Sequence, residues 1–553
     1  MIAVMSAMFL AALDQTIIGT ALGRIVEEFN SFEALSWIVT AYLVTSTITV
    51  PIAGKLSDMF GRRNMLLTGV ALFTIASFLS GASPNIESLI AARAFQGIGG
   101  GILFSSAFTI IGDLFSPKER GKWQGIFGAV FGISSVVGPL LGGYLTDSHN
   151  LLGLTTSWRW TFFINIPVGL AVLVLIAKTC PNFKHEVKHK IDFLGAGLLA
   201  VALTSLIFAC ENTDAIFKGL IDSLNITGPI LKAAFWTVAA IFTGLFIAAE
   251  KRAASPIVPL SLFKRPVFRL TMPIVVLYGA AFLGAILYVT QFLQQVLGAS
   301  ATNSGLMLMP LIIGLSGASA ISGRIVSTGL PYKRILVSGI LVVALGMLSL
   351  TTLTVDSTFI DVAWRMLVVG IGLGSSLPLF NLIVQNEAEQ RELGVATSSV
   401  QLARSLGSTI GTALLGGLLT AGVAASLGNI TKDPFIASLS QNPASAKFLG
   451  EGNTVTADTA LQLNSPDTKQ KIEDGTRQGI AASSLPAAAK EKALTAALQD
   501  QASFSRKVKE AFANSLRQVF YWATALVAAA FVLSLFIKEI PLRSGDKHTP
   551  ITD

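Results

Sequence analysis

GKLSDMFGRRNMLLTG, residues 54–69, starts at the end of one apolar run and finishes inside the next. It puts Lys55, Arg62 and Arg63 beside a single carboxylate, Asp58, between runs at 34–54 and 65–83. GRIVSTGLPYKRILVSG at 323–339 follows a similar outline. Two further pairs match: GIGGG at 97–101 with GIGLG at 370–374, and Arg120-Gly121 with Arg391, which has Gly394 close by. The three offsets are 269, 273 and 271 residues. Near-equal offsets mark an internal repeat, and they predict two halves of six membrane spans each.

Composition supports membrane burial. Hydrophobic residues are 52% and charged residues 13% of the chain, against about a quarter charged in soluble domains. Mean hydropathy is +0.65. Apolar runs of about 20 residues recur, each enough to cross ~30 Å of hydrocarbon. Backbone groups find no water there, so spans are helices or a closed barrel. Strand alternation is absent, which leaves an all-α polytopic protein. Fourteen spans are predicted: 1–24, 34–54, 65–83, 87–112, 122–145, 160–178, 191–211, 231–250, 267–297, 303–323, 335–354, 362–385, 395–422 and 518–538. The ninth is long, and a break or tilt is expected near Pro273. This gives a six-helix bundle over 1–178, inserted spans 7 and 8 with linkers over 179–266, and a second six-helix bundle over 267–553.

The net charge of +8 is not a nucleic-acid signature, because the basic residues sit in short loops. The loops after even-numbered spans hold Lys55, Arg62 and Arg63; Lys118, Arg120 and Lys122; Lys178, Lys184, Lys188 and Lys190; and Lys251, Arg252, Lys264, Arg265 and Arg269. Loop 84–86 has no basic residue and 212–230 has only Lys218. By the positive-inside rule the even-side loops, both termini and the tail 539–553 face the cytoplasm. The first apolar run holds Asp14 and Gln15 and lacks a convincing cleavage site, so it reads as a retained span. Almost no polar tail precedes it, so the natural start is expected slightly upstream of Met1. Residues 423–517 form a long outer loop with eleven basic and nine acidic residues. Ala-rich stretches near 485–500 and 502–516 point to a helical cap, with a disordered spacer as the alternative.

Asp14 carries the most chemical weight. A carboxylate at a helix centre costs about 2.5–3.5 kcal/mol on insertion scales, and burial favours its protonated form. Such a group suits proton carriage or, more blandly, a structural hydrogen bond between spans. Arg93 and Asp14 lie about 9 Å and about 15 Å below the outer ends of spans 4 and 1, similar depths within boundary error. Arginine keeps its charge and can tune Asp14 directly, or through Gln96 and water. At the inner face, Gly54 allows close approach of two helix ends. Asp58 can accept from a helix N-terminus or an arginine, and Asp113 lies within reach of Arg62. With Gly61 and Arg63 these residues form a candidate latch between the halves. In span 5, Gly128, Gly132, Gly138, Gly142 and Gly143 place small residues near one face, and Pro139 weakens the helix locally. Gln291, Gln294, Gln295, Asn381, Gln385 and Arg404 are candidate polar lining of a substrate cavity, or inter-helix hydrogen bonds. Asn225 and Asn429 begin acceptor sequons on outer loops.

No soluble active site emerges. His149, His185, His189 and His548 all fall outside the spans, without a metal-ligand pattern. Cys180 and Cys210 cannot pair within one span. There is no phosphate-binding G-x-x-x-x-G-K-[ST] loop. No metal, cofactor, enzymatic activity or ATP drive is expected.

The 54–66 stretch resembles the signature loop of the major facilitator superfamily. LDQTIIGTAL at 13–22 resembles the first-span motif of its fourteen-span drug:proton antiporters, and RAFQGIGGG at 93–101 the fourth-span motif. GAVFGISSVVGPLLGG at 128–143 resembles the fifth-span antiporter motif, and SWRWTFFINIPVG at 157–169 the entry to span 6. Gly19 and Gly23 depart from the Asn and Pro usual in that group. The resemblance implies a secondary transporter in the cell membrane, acting as a monomer, that exports amphipathic or cationic organic compounds in exchange for protons. Rival readings are an exporter of a lipid or specific amphipathic metabolite, an uptake system, and a non-transporting receptor or scaffold using loop 423–517. The fourteen-span peptide porters fit less well, because span 1 lacks their glutamate-rich aromatic motif.

Overall fold

The computed structural model describes residues 1–29, 35–146, 150–151, 154–181, 192–211, 213–299, 301–389, 392–427, 433–441, 463–464, 466–482 and 486–542. Arg391, Asn429, Lys184, Lys188, Lys190 and the four histidines lie outside them. Fourteen helices among the described residues are long and apolar enough to cross a membrane. Spans 1–6 are Ile2–Leu22, Trp37–Phe60, Arg62–Gly81, Ile86–Leu114, Lys122–Thr146 and Trp160–Thr179. Spans 7 and 8 are Phe193–Cys210 and Gly228–Glu250. Spans 9–14 are Pro266–Val296, Asn303–Ser327, Tyr332–Leu350, Phe359–Glu387, Leu393–Leu427 and Ala487–Leu535. The only extended pairing among the described residues is a two-residue antiparallel ladder, Asn150–Leu151 with Leu154–Thr155.

The apolar core divides with the sequence repeat. One cluster draws on spans 1–6, around Leu66, Phe73, Leu103 and Phe127. A larger one draws on spans 9–14, around Phe268, Val343, Leu373, Leu382 and Phe520. Two helix seams join these bundles: span 5 lies against span 10, and span 2 against span 13. The inserted pair packs on itself and across the second seam. There Leu199, Leu203 and Phe246 meet Ile48, Leu402 and Leu406. Trp37 at the start of span 2 donates its indole N–H to the Ile216 carbonyl at 2.8 Å and packs edge-on against Phe208 and Phe217.

Two boundary expectations change. Span 9 runs unbroken through Pro273 and instead becomes a π turn at Phe292–Val296. Pro273 falls inside the helix, whereas the wider turn carries Leu297 N–H back to Phe292 O at 3.2 Å, five residues away. Span 14 begins far outside the apolar stretch, in one helix from Ala487 to Leu535. Those 49 residues contain neither Gly nor Pro, so nothing stops the Ala-rich loop helix from merging with the span. Its N-terminal half is packed: the Phe504 ring lies tilted against Phe435 at 5.0 Å, Lys507 pairs with Asp433 at 2.8 Å, and Gln501 donates to Lys469 O at 3.1 Å.

Candidate functional site

Asp14 is fully buried in span 1. Its Oδ2 accepts from Arg93 Nη1 at 2.7 Å. Its Oδ1 accepts from Gln96 Nε2 at 2.8 Å and from Asn165 Nδ2 at 2.9 Å. Arg93 Nη1 also reaches Gln96 Oε1 at 2.6 Å, and the guanidinium lies 4.5 Å from the Tyr42 ring centroid. Ser77 Oγ accepts from both amides, Gln96 at 3.0 Å and Asn165 at 2.9 Å. Spans 1, 3, 4 and 6 therefore converge on one carboxylate. Every group contacting it is a donor, which is the partner set of an ionised carboxylate. Oδ1 takes two donors and Oδ2 one, so a proton has a free lone pair on Oδ2, beside Arg93. Asn165 and Ser77 are the partners that sequence reasoning missed. Asn165 sits within the 157–169 motif as the lone amide of an apolar run, which was a usable signal. Ser77 offered none, because serine is common in spans.

Span 5 touches two partners rather than one. A Cβ on Gly138 or Gly142 would strike Thr16 or Thr20 of span 1. A Cβ on Gly128 or Gly132 would press on Ser319 or Ile312 of span 10. Gly143 faces open space and has no part in either contact. The expected single face is thus two, because the stripe drifts around the helix along its length. Thr16, two residues from Asp14, donates to Ser134 O of span 5 at 2.9 Å. Pro139 stays inside the continuous helix. The same helix touches the neighbour of Asp14 at one end and the opposite bundle at the other.

The 54–66 stretch forms its charge cluster inside the first bundle. Arg62 is fully buried, with Nε on Asp113 Oδ2 at 2.6 Å, Nη1 on Ser57 Oγ at 2.6 Å and Nη2 paired with Asp58. Arg63 donates to Ala177 O at 2.5 Å, again within that bundle. Gly61 turns the chain between spans 2 and 3 at φ 92°, a conformation that favours glycine. The expected latch therefore reaches across the halves by another route. A Cβ on Gly54 would strike Ser398, and one on Gly394 would strike the Asp58 carboxylate. Asp58 thus meets the first turn of span 13, where the helix N-terminus attracts an anion. Gln385 completes the closure. It accepts from Gln124 Nε2 at 3.2 Å and donates to Phe108 O at 3.2 Å and Thr397 Oγ1 at 3.0 Å.

The remaining polar candidates separate. Gln385 belongs to this seam. Gln291 is exposed, and Gln294 donates to Ser304 Oγ at 2.8 Å across the turn between spans 9 and 10. Asn381 and Arg404 come together in a cleft inside the second bundle, with Tyr278, Phe380, Val400 and Gln401. Among the described residues no metal-binding group of His, Cys, Asp and Glu is present.

Comparisons with known proteins bear on the family and the fold. The model of the Major Facilitator Superfamily matches residues 4–412. The multidrug transporter protein MdtP of Bacillus subtilis is 36% identical over 541 residues, covering 97% of this chain and 92% of that protein. Multidrug resistance protein 3 of the same species is 37% identical over 411 residues, covering 74% and 77%. Among solved structures, the human organic anion transporter MFSD10 aligns with a TM-score of 0.57 at 16% identity, covering 75% of this chain and 92% of that one. The proton:xylose symporter XylE aligns at 0.54 and 16% identity, covering 74% and 86%. At those identities the two structures speak for the fold alone.

Proposed function

The chain belongs to the major facilitator superfamily of membrane transporters, and from that premise we propose that it is a proton-coupled multidrug exporter. Its cargo is amphipathic or cationic organic compounds, and it works as a monomer by alternating access. It lies in the cell membrane with both termini in the cytoplasm. The printed names of the two Bacillus relatives support the class of cargo, and the basic loops support the orientation.

The observation that carries the coupling is the all-donor shell around Asp14. In the cycle, cargo enters from the cytoplasm when the seam at Gly54, Asp58, Gly394 and Gln385 parts. The bundles then rock, the seam closes, and cargo leaves outward. A proton from outside lands on Asp14 Oδ2, cancels its charge and weakens its hold on Arg93. Span 1 loosens against spans 4 and 6, and span 5 carries the change to span 10 through its two glycine contacts. The seam reopens and the proton is released inward.

Asp14→Asn tests this. The amide keeps the shape but cannot cycle a proton. Proton-driven efflux from inverted vesicles should fall to background, with the protein present in the membrane at normal abundance. Export at the normal rate under a proton gradient would remove Asp14 from the coupling.

A further inference from the structure

The second bundle holds a charge that the coupling cycle does not use. Arg404 lies eleven residues into span 13, which begins at Leu393. That is about 17 Å along the helix, near the middle of ~30 Å of hydrocarbon. Among the described residues its guanidinium has no ion pair and no hydrogen bond, and no carboxylate lines its cleft. An unpaired charge at that depth is costly, and intramembrane charges are kept where they meet a pathway or a ligand.

The surroundings specify what completes it. Asn381 is buried, and its Nδ2 makes no hydrogen bond among the described residues. Its Oδ1 takes only a long contact from Gln401, 3.5 Å. The Gln401 Oε1 is buried without a partner. Tyr278 spends its hydroxyl on Ser376 and Gly372 O, and so offers the cleft its ring alongside Phe380 and Val400. The free donors are thus a guanidinium and one amide, set in an apolar wall. Thr397, Gln401 and Arg404 follow at spacings of four and three, which places them on one face of span 13. Thr397 on that face meets Gln385 at the seam between the bundles. The enclosed space is about 10 Å³, room for about one water, and it opens to one side. A headgroup therefore enters only as the lining side chains part, and the body of the molecule stays outside the cleft.

We infer that this cleft recognises the anionic headgroup, a carboxylate, phosphate or sulfonate, of an amphipathic molecule, with Arg404 as the bidentate anchor and Asn381 as the second donor. Gln401 Oε1 receives a hydroxyl or N–H beside the anion. A cationic headgroup has no counter-charge here, and Asp14, the carboxylate at the centre of the first bundle, already holds three donors. The inference narrows the proposed cargo from amphipathic or cationic compounds to amphiphiles with an anionic headgroup, and it rests on that reading only in treating the bound molecule as cargo.

Binding to the purified full-length protein tests it without transport. Three dansyl amphiphiles with one aliphatic body would end in a carboxylate, a primary amide or a quaternary ammonium, and their affinities would be read by fluorescence titration. The carboxylate should bind about tenfold more tightly than the amide, and the ammonium more weakly than either. Arg404→Gln should erase the gap, while Arg404→Lys should keep part of it. Equal affinities in the intact protein, a preference for the ammonium, or a gap that survives in Arg404→Gln would overturn the inference. The matched ligands keep the test decisive if a variant misfolds. Loss of proton-driven efflux with the carboxylate preference intact would sink the transport reading alone. Repeating the titration in phosphatidylcholine nanodiscs, with and without phosphatidylglycerol, identifies the source of the anion. Competition by phosphatidylglycerol supports the site with a lipid headgroup as occupant, and absence of competition supports it with a soluble amphiphile.

Discussion

Arg93 and Arg404 are both arginines set deep among membrane helices, one in each bundle, and they live in opposite circumstances. Arg93 is buried against Asp14 at 2.7 Å and Gln96 at 2.6 Å, with the Tyr42 ring beneath it. Arg404 faces a cleft with no partner among the described residues. The repeat does not enforce symmetry here. An offset near 270 from Asp14 falls in the stretch Gly-Ala-Ile-Leu at 284–287, which has no carboxylate. One bundle keeps its charge neutralised inside a closed network, and the other leaves its charge waiting. Such a division suits a first bundle that handles a proton and a second that handles an organic headgroup.

The contrast breaks most readily by deleting the two arginines in turn. Arg93→Met leaves Asp14 buried without its counter-charge, a change that typically costs about 3–5 kcal/mol. Arg404→Met removes a buried charge that nothing else depends on, so it should be neutral or stabilising. Thermal unfolding in detergent should therefore show a large drop for the first variant and none for the second. Adding Asp14→Asn to Arg93→Met should restore most of the lost stability, because no charge is then stranded. Equal losses from the two single variants would mean that Arg404 has a structural partner after all.

A smaller effect sharpens the role of span 5 in the closed network. Gly138→Ala drives a methyl into Thr16, and overpacking of that kind costs about 1–3 kcal/mol. Gly143→Ala meets nothing and removes a helical glycine, which stabilises by about 1 kcal/mol. The pair should shift the melting temperature in opposite directions. Only Gly138→Ala should also impair proton-driven efflux, because it separates span 1 from span 5 beside Asp14. Equal shifts from both alanines would show that the span 1–span 5 contact yields easily.

Much of this was legible in the sequence, for reasons that differ by residue. Span count and the Asp14–Arg93 pairing follow from hydropathy and depth, since a buried carboxylate must find a cation or donors. The seam was harder to read. The 54–66 stretch announces its charges, yet Arg62 spends them within its own bundle, and the contacts that cross are made by Gly54, Gly394 and Ser398, which carry no charge signal. Gln385 and Asn381 look equivalent in sequence, one turn apart on span 12. Which one faces the other bundle depends on helix rotation, and apolar periodicity hardly fixes rotation in a helix buried on most sides. The merged helix of span 14 was hidden because its outer half is polar and loop-like in composition.

That difference between Gln385 and Asn381 allows the finest test. Gln385→Leu removes the hydrogen bonds to Gln124 and to Phe108 O, the two that cross between bundles. Net hydrogen bonds are worth about 0.5–1.5 kcal/mol each, and two long ones at 3.2 Å sit at the low end, about 1 kcal/mol together, so the seam should open about fivefold more often. Ser398 is buried in that seam against Gly54, so a Ser398→Cys probe, in a background with Cys180→Ser and Cys210→Ser, reports opening by its rate of alkylation. Gln385→Leu should raise the rate about fivefold. Asn381→Leu should leave it unchanged, because Asn381 lines the cleft within one bundle and contacts nothing across the seam. Equal labelling in the two variants would place Asn381 and Gln385 in one continuous polar site, and the separation between gate and cleft would fall.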